Sequence, residues 1–384
     1  MNFELSEEQR LLQATVREFC AREVTPNARR WDEAEAFPHE VVPKLAELGL
    51  LGMNIPEEYG GTGMPLADQA IVIEELARSD GSVCLTVASH NSLCSGHIKL
   101  AGSEAQKQRY LPRLASGEAL GAWGLTEPGS GSDASAARTS AEWRGDRWVL
   151  NGQKTFITQG SVGGVFVILA STTPEKKQRG LTAFIVEKGQ RGFRAGKKLE
   201  KLGLHASDTA ELILEEVELP DEQRLGALDH GFTDTLRILE RGRIGIGSMA
   251  VGLARGALEE AVAYAKQRVQ FGVALAKHQA IQAMLADMAT QVDAARLLVR
   301  RAAWLQDQGV RTPSESSMAK LIAARMATRV CDTAIQILGG YGYTREFPVE
   351  RYLRDVKLCE IGEGTNEVQR MLLARHLFGP AVTG

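Results

Sequence analysis

The sequence reads as an α+β chain in three parts: a helical N-terminal domain over residues 1–120, a middle antiparallel β-domain over 121–228, and a C-terminal four-helix bundle over 229–384. Two observations predict this. Apolar residues recur at helical spacing up to about residue 120, shift to short strand-like runs broken by turn residues, and return to long helical periods after His230. A chain of 384 residues is also too long for one ordinary core, so two or three domains are the expectation.

The first helix starts after Ser6, whose hydroxyl can cap it, with Glu7 and Glu8 at the positive end of the helix dipole and Leu11, Leu12, Val16, Phe19 and Cys20 at helical spacing. Pro26 is expected to end it. Further helical segments cover about 41–51, 66–77 and 83–100, interrupted by the turn-rich stretch 56–63. In the middle part, Arg147 to Leu150, then Asn151-Gly152, then Gln153 to Thr158 carry the pattern of a β-hairpin, because Asn-Gly accepts the positive φ angles of a tight turn. Strands follow at 165–170, 181–186 and 210–219, giving a small antiparallel sheet or barrel. Long helices are predicted over 232–267, 279–307, 314–337 and 365–378, joined by short loops as in a bundle.

Composition excludes some function classes. With a net charge of -3 and interspersed acidic and basic residues, the chain has no electrostatic footprint for nucleic acid or an anionic membrane. The five cysteines are scattered without a CxxC pair and the seven histidines form no HExxH pattern, so no metal site is expected and a reducing compartment fits best. The N-terminal residues run into a helix signal without the features of a signal peptide, and no apolar stretch is long enough for a bilayer. The expectation is a cytoplasmic protein, or the mature form of a mitochondrial matrix one.

Two stretches carry candidate chemistry. In Cys359-Glu360-Ile361-Gly362-Glu363-Gly364-Thr365-Asn366-Glu367, glycines flank Glu363 and let the backbone turn sharply, while Thr365 can cap the helix that follows. A carboxylate so presented can act as a general base; the same pattern also suits a solvated glutamate in a glycine-rich loop. In Leu125-Thr126-Glu127-Pro128-Gly129-Ser130-Gly131-Ser132-Asp133, bare backbone N–H groups and hydroxyls can meet a phosphate or a heteroaromatic edge, or simply form a polar loop. No βαβ pattern surrounds this segment, which rules out a Rossmann reading.

Thr126 to Asp133, Lys154-Thr155-Phe156-Ile157-Thr158, Arg268-Val269-Gln270-Phe271-Gly272, His278-Gln279, Gln336-Ile337-Leu338-Gly339-Gly340-Tyr341-Gly342 and Glu363-Gly364-Thr365 occur in one order. Together they resemble the acyl-CoA dehydrogenase family of flavoproteins, over essentially the whole chain from Leu5 to the last helix. The resemblance implies an FAD between the sheet and the C-terminal helices, and a homotetramer made of two dimers. By the same resemblance Leu125 and Thr126 contact the flavin edge, and Phe156, Ile157 and Thr158 line its other side, with Phe156 where many relatives have tryptophan. Arg268, Gln270 and Phe271 are expected to reach a partner's FAD diphosphate, and Gln336, Gly339 and Gly340 its adenosine half. Ser132, His278, Gln279, Thr365 and Glu367 complete the implied cofactor set.

The implied reaction is α,β-dehydrogenation of a saturated acyl-CoA to the trans-2-enoyl-CoA, as in fatty acid β-oxidation. Glu363 would take the α-proton and the β-hydride would pass to flavin N5, with electron-transfer flavoprotein as acceptor. Some relatives carry the base instead at the position matching Gly242, which here has no side chain. Ser132, Glu240, Arg243 and Gly364 match positions at the CoA thioester, and Arg375 another ligand contact. Gly362 stands where many straight-chain members have tyrosine, the arginine of glutaryl-CoA members is replaced near Cys84, and Ser89, His90, Asn91 and Leu93 are expected near the pocket floor. Short, medium and branched acyl groups remain open, as do an oxidase, a monooxygenase-like enzyme and a catalytically silent scaffold on the same fold.

Overall fold

In a computed structural model, residues 4–379 are described; residues 1–3 and 380–384, at the outer bounds of the expected first and third domains, lie outside the described residues. The N-terminal part contains α1 (Glu7–Phe19), α2 (Thr25–Ala34), α3 (Val42–Glu47), α4 (Leu66–Ser79), α5 (Gly81–Ser89), α6 (Gly96–Ala101) and α7 (Glu104–Ala115). The middle part contains β1 (Gly121–Gly124), β2 (Ser140–Arg144), β3 (Arg147–Thr158), β4 (Val165–Ser171), β5 (Leu181–Glu187), β6 (Phe193–Lys198), β7 (Thr209–Pro220) and β8 (Arg224–Leu225). The C-terminal part contains α8 (Gly231–Gln267), the short strands β9 (Val269–Gln270) and β10 (Val273–Ala274), then α9 (Gln279–Asp307), α10 (Pro313–Leu338), α11 (Val349–Ile361) and α12 (Asn366–Phe378). Among the described residues no helix is long and apolar enough to cross a membrane.

Ser6 caps α1 as expected: its hydroxyl accepts from Gln9 N–H and the Gln9 side chain bonds back to Ser6 N–H. Pro26 does not end the helical path. The chain widens into a π turn over Cys20–Val24, and Pro26 then falls in the first turn of α2, where a missing N–H costs nothing. A second π turn, His90–Ser95, splits the expected 83–100 helix into α5 and α6.

The sheet order is β6-β7-β3-β2-β4-β5-β8, with β1 also on β4. Most pairings are antiparallel, but β4 runs parallel to both β1 and β2, a mixture that the strand patterns did not reveal. Asn151-Gly152 is not a hairpin turn. The β2–β3 turn lies at Gly145-Asp146, with Gly145 at φ +76°, and Arg144 pairs with Arg147 across it. Asn151-Gly152 forms a bulge inside β3 instead. Asn151 Oδ1 accepts from Glu216 N–H at 2.8 Å, and a Cβ on Gly152 would stand 2.5 Å from Thr139 Oγ1. Helix α11 was missing from the sequence reading because its charged residues dilute a short apolar stripe of Val349, Tyr352, Val356 and Cys359.

The two helical parts share one core, in which Ile73, Leu76 and Val83 join Met249, Ala250 and Leu253 of α8. Helices α4 and α8 come close because Gly252 has no side chain; a Cβ there would lie 2.3 Å from Glu74 O. The buried Glu74 and Glu75 of α4 are held across this contact by Arg255 of α8, at 2.6 and 2.5 Å. Arg17 of α1 adds a bond of 3.0 Å to Glu75, and Arg296 of α9 one of 3.1 Å to Glu74. Burial would raise the Glu75 pKa, but Arg255 and Arg17 hold it below the ordinary value.

Removing Arg255 takes one of two guanidinium partners from each of two buried carboxylates, whereas Arg17 is half-exposed and its partner keeps Arg255. Arg255→Met is therefore expected to cost about 3 kcal/mol of stability and Arg17→Met less than about 1 kcal/mol. Comparing the unfolding transitions of the two variants checks this, and equal costs would contradict it.

Candidate active site

Glu363 sits in the turn between α11 and α12. Gly362 N–H closes α11 on Leu358 O at 2.7 Å, Glu363 takes φ +53°, Gly364 takes φ +92°, and Thr365 Oγ1 caps α12 by accepting from Val368 N–H. A glutamate in the left-handed region carries a backbone cost of about 1 kcal/mol, and the surrounding contacts must maintain it. The residue as a whole is only partly buried, yet its Oε2 is sealed and has no hydrogen-bond partner. Burial pushes its pKa up to about 7, against the pull of Arg243 and Lys320.

The carboxylate lies directly on α8. A Cβ built on Gly242 would be 1.7 Å from Glu363 Oε2, so a side chain here would require the carboxylate to swing aside. One turn further along α8, Ile244 and Gly245 line a small cavity of about 20 Å³ together with Met53, Ala70, Ile73 and Ala88. Its hydroxyls bond back to their own helices, Ser92 to Ala88 O and Ser248 to Ile244 O, which leaves the wall apolar. Of the four residues expected near the pocket floor, Asn91 lines this cavity. Ser89 donates to Gln159 at 2.7 Å and Leu93 packs on the sheet-facing core. His90 Nδ1 accepts from Gly121 N–H at 3.0 Å while Nε2 donates to Leu51 O, and burial lowers its pKa to about 4, so it is a neutral strut.

The Leu125–Asp133 loop is anchored by a buried ion pair, Lys154 to Glu127 at 2.7 Å, and by Thr155 N–H on Thr126 O. Beyond that anchor Gly129, Gly131 and Ser132 stand in the open. A bulge between Lys154 and Ile157 turns Phe156 to φ +58° and leaves its ring 69% exposed, an unusual position for a large aromatic residue. The Ile157 side chain is buried in the sheet core. Thr158 is partly buried at the strand end, and Leu125 is buried.

Arg268 to His278 form a separate cluster. Phe271 and Gly272, at φ +53° and +80°, make the two-residue turn between β9 and β10, and the Phe271 ring is 94% exposed against the edge of His278. The Arg268 guanidinium lies over Tyr341, which brings the exposed Gln336, Gly339 and Gly340 into the same neighbourhood; Gln270 and Gln279 are exposed beside it. Gly242 and Arg268 are 26 residues apart along one unbroken helix, which is ~39 Å at 1.5 Å per residue. The expected cofactor residues therefore fall into two groups, one near Glu363 and one far from it.

Arg243 is buried on α8 with its Nε unpartnered, as a ligand-facing arginine would be. Glu240 has further partners: its carboxylate accepts from Arg311 at 2.7 Å and from Thr312 N–H at 2.5 Å, and so braces the start of α10. Glu367 pairs with Arg370 at 2.9 Å on the exposed side of α12, where Arg375 is exposed too. The sequence reading missed Lys320, fully buried on α10, whose Nζ donates to Gly364 O at 2.9 Å. Its signal was there: a lone lysine among the buried Ala319, Ala323 and Ala324, on the core face of the helix.

Comparison with known proteins agrees with this architecture. Residues 6–118, 122–217 and 229–378 match the family models of the acyl-CoA dehydrogenase N-terminal, middle and C-terminal domains. The chain is 45% identical to a short-chain specific acyl-CoA dehydrogenase of Clostridium acetobutylicum, over 98% of this chain and 100% of that one. Butyryl-CoA dehydrogenase from Megasphaera elsdenii superposes with a TM-score of 0.96 at 41% identity, over 98% of this chain and 100% of that one. A chain from a structure of the electron transferring flavoprotein of Acidaminococcus fermentans gives 0.97 at 43% identity, over 99% and 100%. With all three domains matched in order and identity sustained end to end, the chain belongs to the acyl-CoA dehydrogenase family, oxidoreductases whose cofactor is FAD.

Proposed function

We propose that the chain dehydrogenates a short, saturated acyl-CoA to its trans-2-enoyl-CoA, with Glu363 as the base that removes the α-proton. The observation that carries this reading is the sealed, unpartnered Oε2 of Glu363, lying on Gly242 one helical turn from an apolar cavity. The cavity wall suits an aliphatic chain, and its small volume of about 20 Å³ favours a short one.

The residues fit an FAD. The bare ring of Phe156 on a strained bulge and the open Gly129 to Ser132 loop are surfaces that a flat, phosphate-bearing group would cover. Leu125, Thr126, Ser132, Phe156 and Thr158 would hold it on this side, with Thr365 on the other. When bound, FAD supplies the acceptor for the β-hydride. The reading extends to a site shared between chains, because Arg268, Gln270, Phe271, His278, Gln279, Gln336, Gly339 and Gly340 lie too far from Glu363 to serve the same cofactor. A homotetramer would bring them to a partner's site, and electron-transfer flavoprotein would take the electrons.

The α-proton of a thioester is far too weakly acidic for an ordinary carboxylate, so two adjustments are needed. Desolvation makes Glu363 a stronger base, and hydrogen bonds to the thioester oxygen must stabilise the developing enolate. Among the described residues the Glu363 N–H has no acceptor in the chain and is free to donate there. Arg243, Gly364 and Ser132 would border the thioester and its CoA arm.

Glu363→Gln is expected to keep FAD while slowing flavin bleaching by substrate about 10²–10⁴-fold in anaerobic stopped flow with a panel of acyl-CoAs. Rapid bleaching would remove Glu363 from the mechanism. Because the working form is the carboxylate and its pKa lies at about 7, kcat/KM is expected to rise with pH through a limb near that value. A profile flat from pH 5 to pH 9 would contradict it. Since Gly242 and the carboxylate occupy one place, Glu363→Gly should lose activity and the double variant Gly242→Glu/Glu363→Gly should recover part of it.

A further inference from the structure

The proposed reaction leaves one buried charge beside the base unused. Lys320 is fully buried on α10, and its Nζ donates to Gly364 O at 2.9 Å and to Asn366 Oδ1 at 3.3 Å. Burying an ammonium is costly, and among the described residues its hydrogen bonds go to a backbone carbonyl and an amide rather than to a carboxylate. Its direct partners are neutral and belong to the turn that carries Glu363. A second donor, Gln369 Nε2 from α12, reaches the same Gly364 carbonyl at 2.9 Å, and Gln369 is itself fully buried.

Gly364 O belongs to the peptide immediately after the base, between a glutamate at φ +53° and the cap of α12. Two donors on one oxygen leave that peptide a single orientation. Without them the left-handed turn is free to relax, and the carboxylate would move off the backbone of Gly242. Misplacing a reacting group by about 1 Å costs up to about 10²-fold in rate.

Resting on the reading of Glu363 as the base, we infer that Lys320 is a positioning residue that pins the Glu363–Gly364 turn against α8, its ammonium adding to the positive charge that Arg243 already brings to the site. The charged and titratable groups facing the pair are few. Arg243 of α8 faces Glu363, while Cys359 and Glu360 of α11, Glu367 of α12 and Glu363 itself face Lys320. Burial lowers the Lys320 pKa to about 8 and raises that of Glu363 to about 7.

The test uses Lys320→Met, Lys320→Arg and Gln369→Met holoenzymes. Each is assayed for kcat and KM against pH and for the pH midpoint of the Glu363 carboxyl band in infrared difference spectra, the band being assigned by its loss in Glu363→Gln. Lys320→Met is expected to lose about ten- to a hundred-fold in kcat and to move the midpoint up by about one pH unit. Gln369→Met, which removes a donor but no charge, is expected to lower kcat with the midpoint unmoved. Lys320→Arg keeps the charge with a different reach, so kcat should fall while the midpoint stays. If Lys320→Met does not fold, the other two carry the test. Wild-type kcat in Gln369→Met and Lys320→Arg, or an unmoved midpoint in a folded Lys320→Met, would overturn the inference. The infrared midpoint needs no substrate: a shifted midpoint in a protein that oxidises no acyl-CoA would refute the dehydrogenase reading and leave the electrostatic role standing.

Discussion

The candidate site depends on one steric fact, the absence of a side chain at Gly242. A carboxylate can rest on a helix backbone only where the helix presents nothing, and a Cβ here would overlap Glu363 Oε2. Everything around the base follows from that contact. The α11–α12 turn must adopt left-handed angles at both Glu363 and Gly364 to bring the carboxylate there. α8 must in turn be held rigidly, because an error in its position is an error in the position of the base. The Glu74–Glu75–Arg255 cluster and the close approach at Gly252 fix α8 against α4, the helix that forms the other wall of the cavity.

The buried charges of the molecule serve two different ends. In the α1–α4–α8–α9 cluster every carboxylate oxygen is matched by a guanidinium, which makes it a clamp. Around Glu363 matching is deliberately incomplete. Oε2 of Glu363 and Nε of Arg243 are sealed without partners, and Lys320 bonds only neutral groups. Unsatisfied groups of this kind reduce stability and are tolerated where a ligand completes them.

Much of the plan was legible in the sequence. The three-part order came from the change of hydrophobic period, and the long helices α8, α9 and α10 begin and end within a residue or so of where their patterns do. Glu363 was visible because two glycines flank it. What failed depended on tertiary context. Asn151-Gly152 has the local chemistry of a hairpin turn, but β3 continues because Thr139 and Glu216 occupy the space around it. Pro26 looks like a stop only if the helix before it is regular. The bonds of Glu240 to Arg311 and Thr312 join residues more than seventy positions apart in sequence, which no local pattern reveals. Lys320 is the same lesson, a charged residue placed in the interior beside the base.

The unbroken length of α8 acts as a ruler. Gly242, in its first third, lies under Glu363 and its end carries the Arg268–Phe271 hairpin, ~39 Å away at the helical rise. A small molecule that touches both places must touch two copies of the chain. In such an assembly a chain damaged at the hairpin still has a sound base, and a chain lacking the base still has a sound hairpin. Two inactive variants, one of each kind, would then rebuild some intact centres when refolded together, and the fraction recovered would report how many chains each centre draws upon.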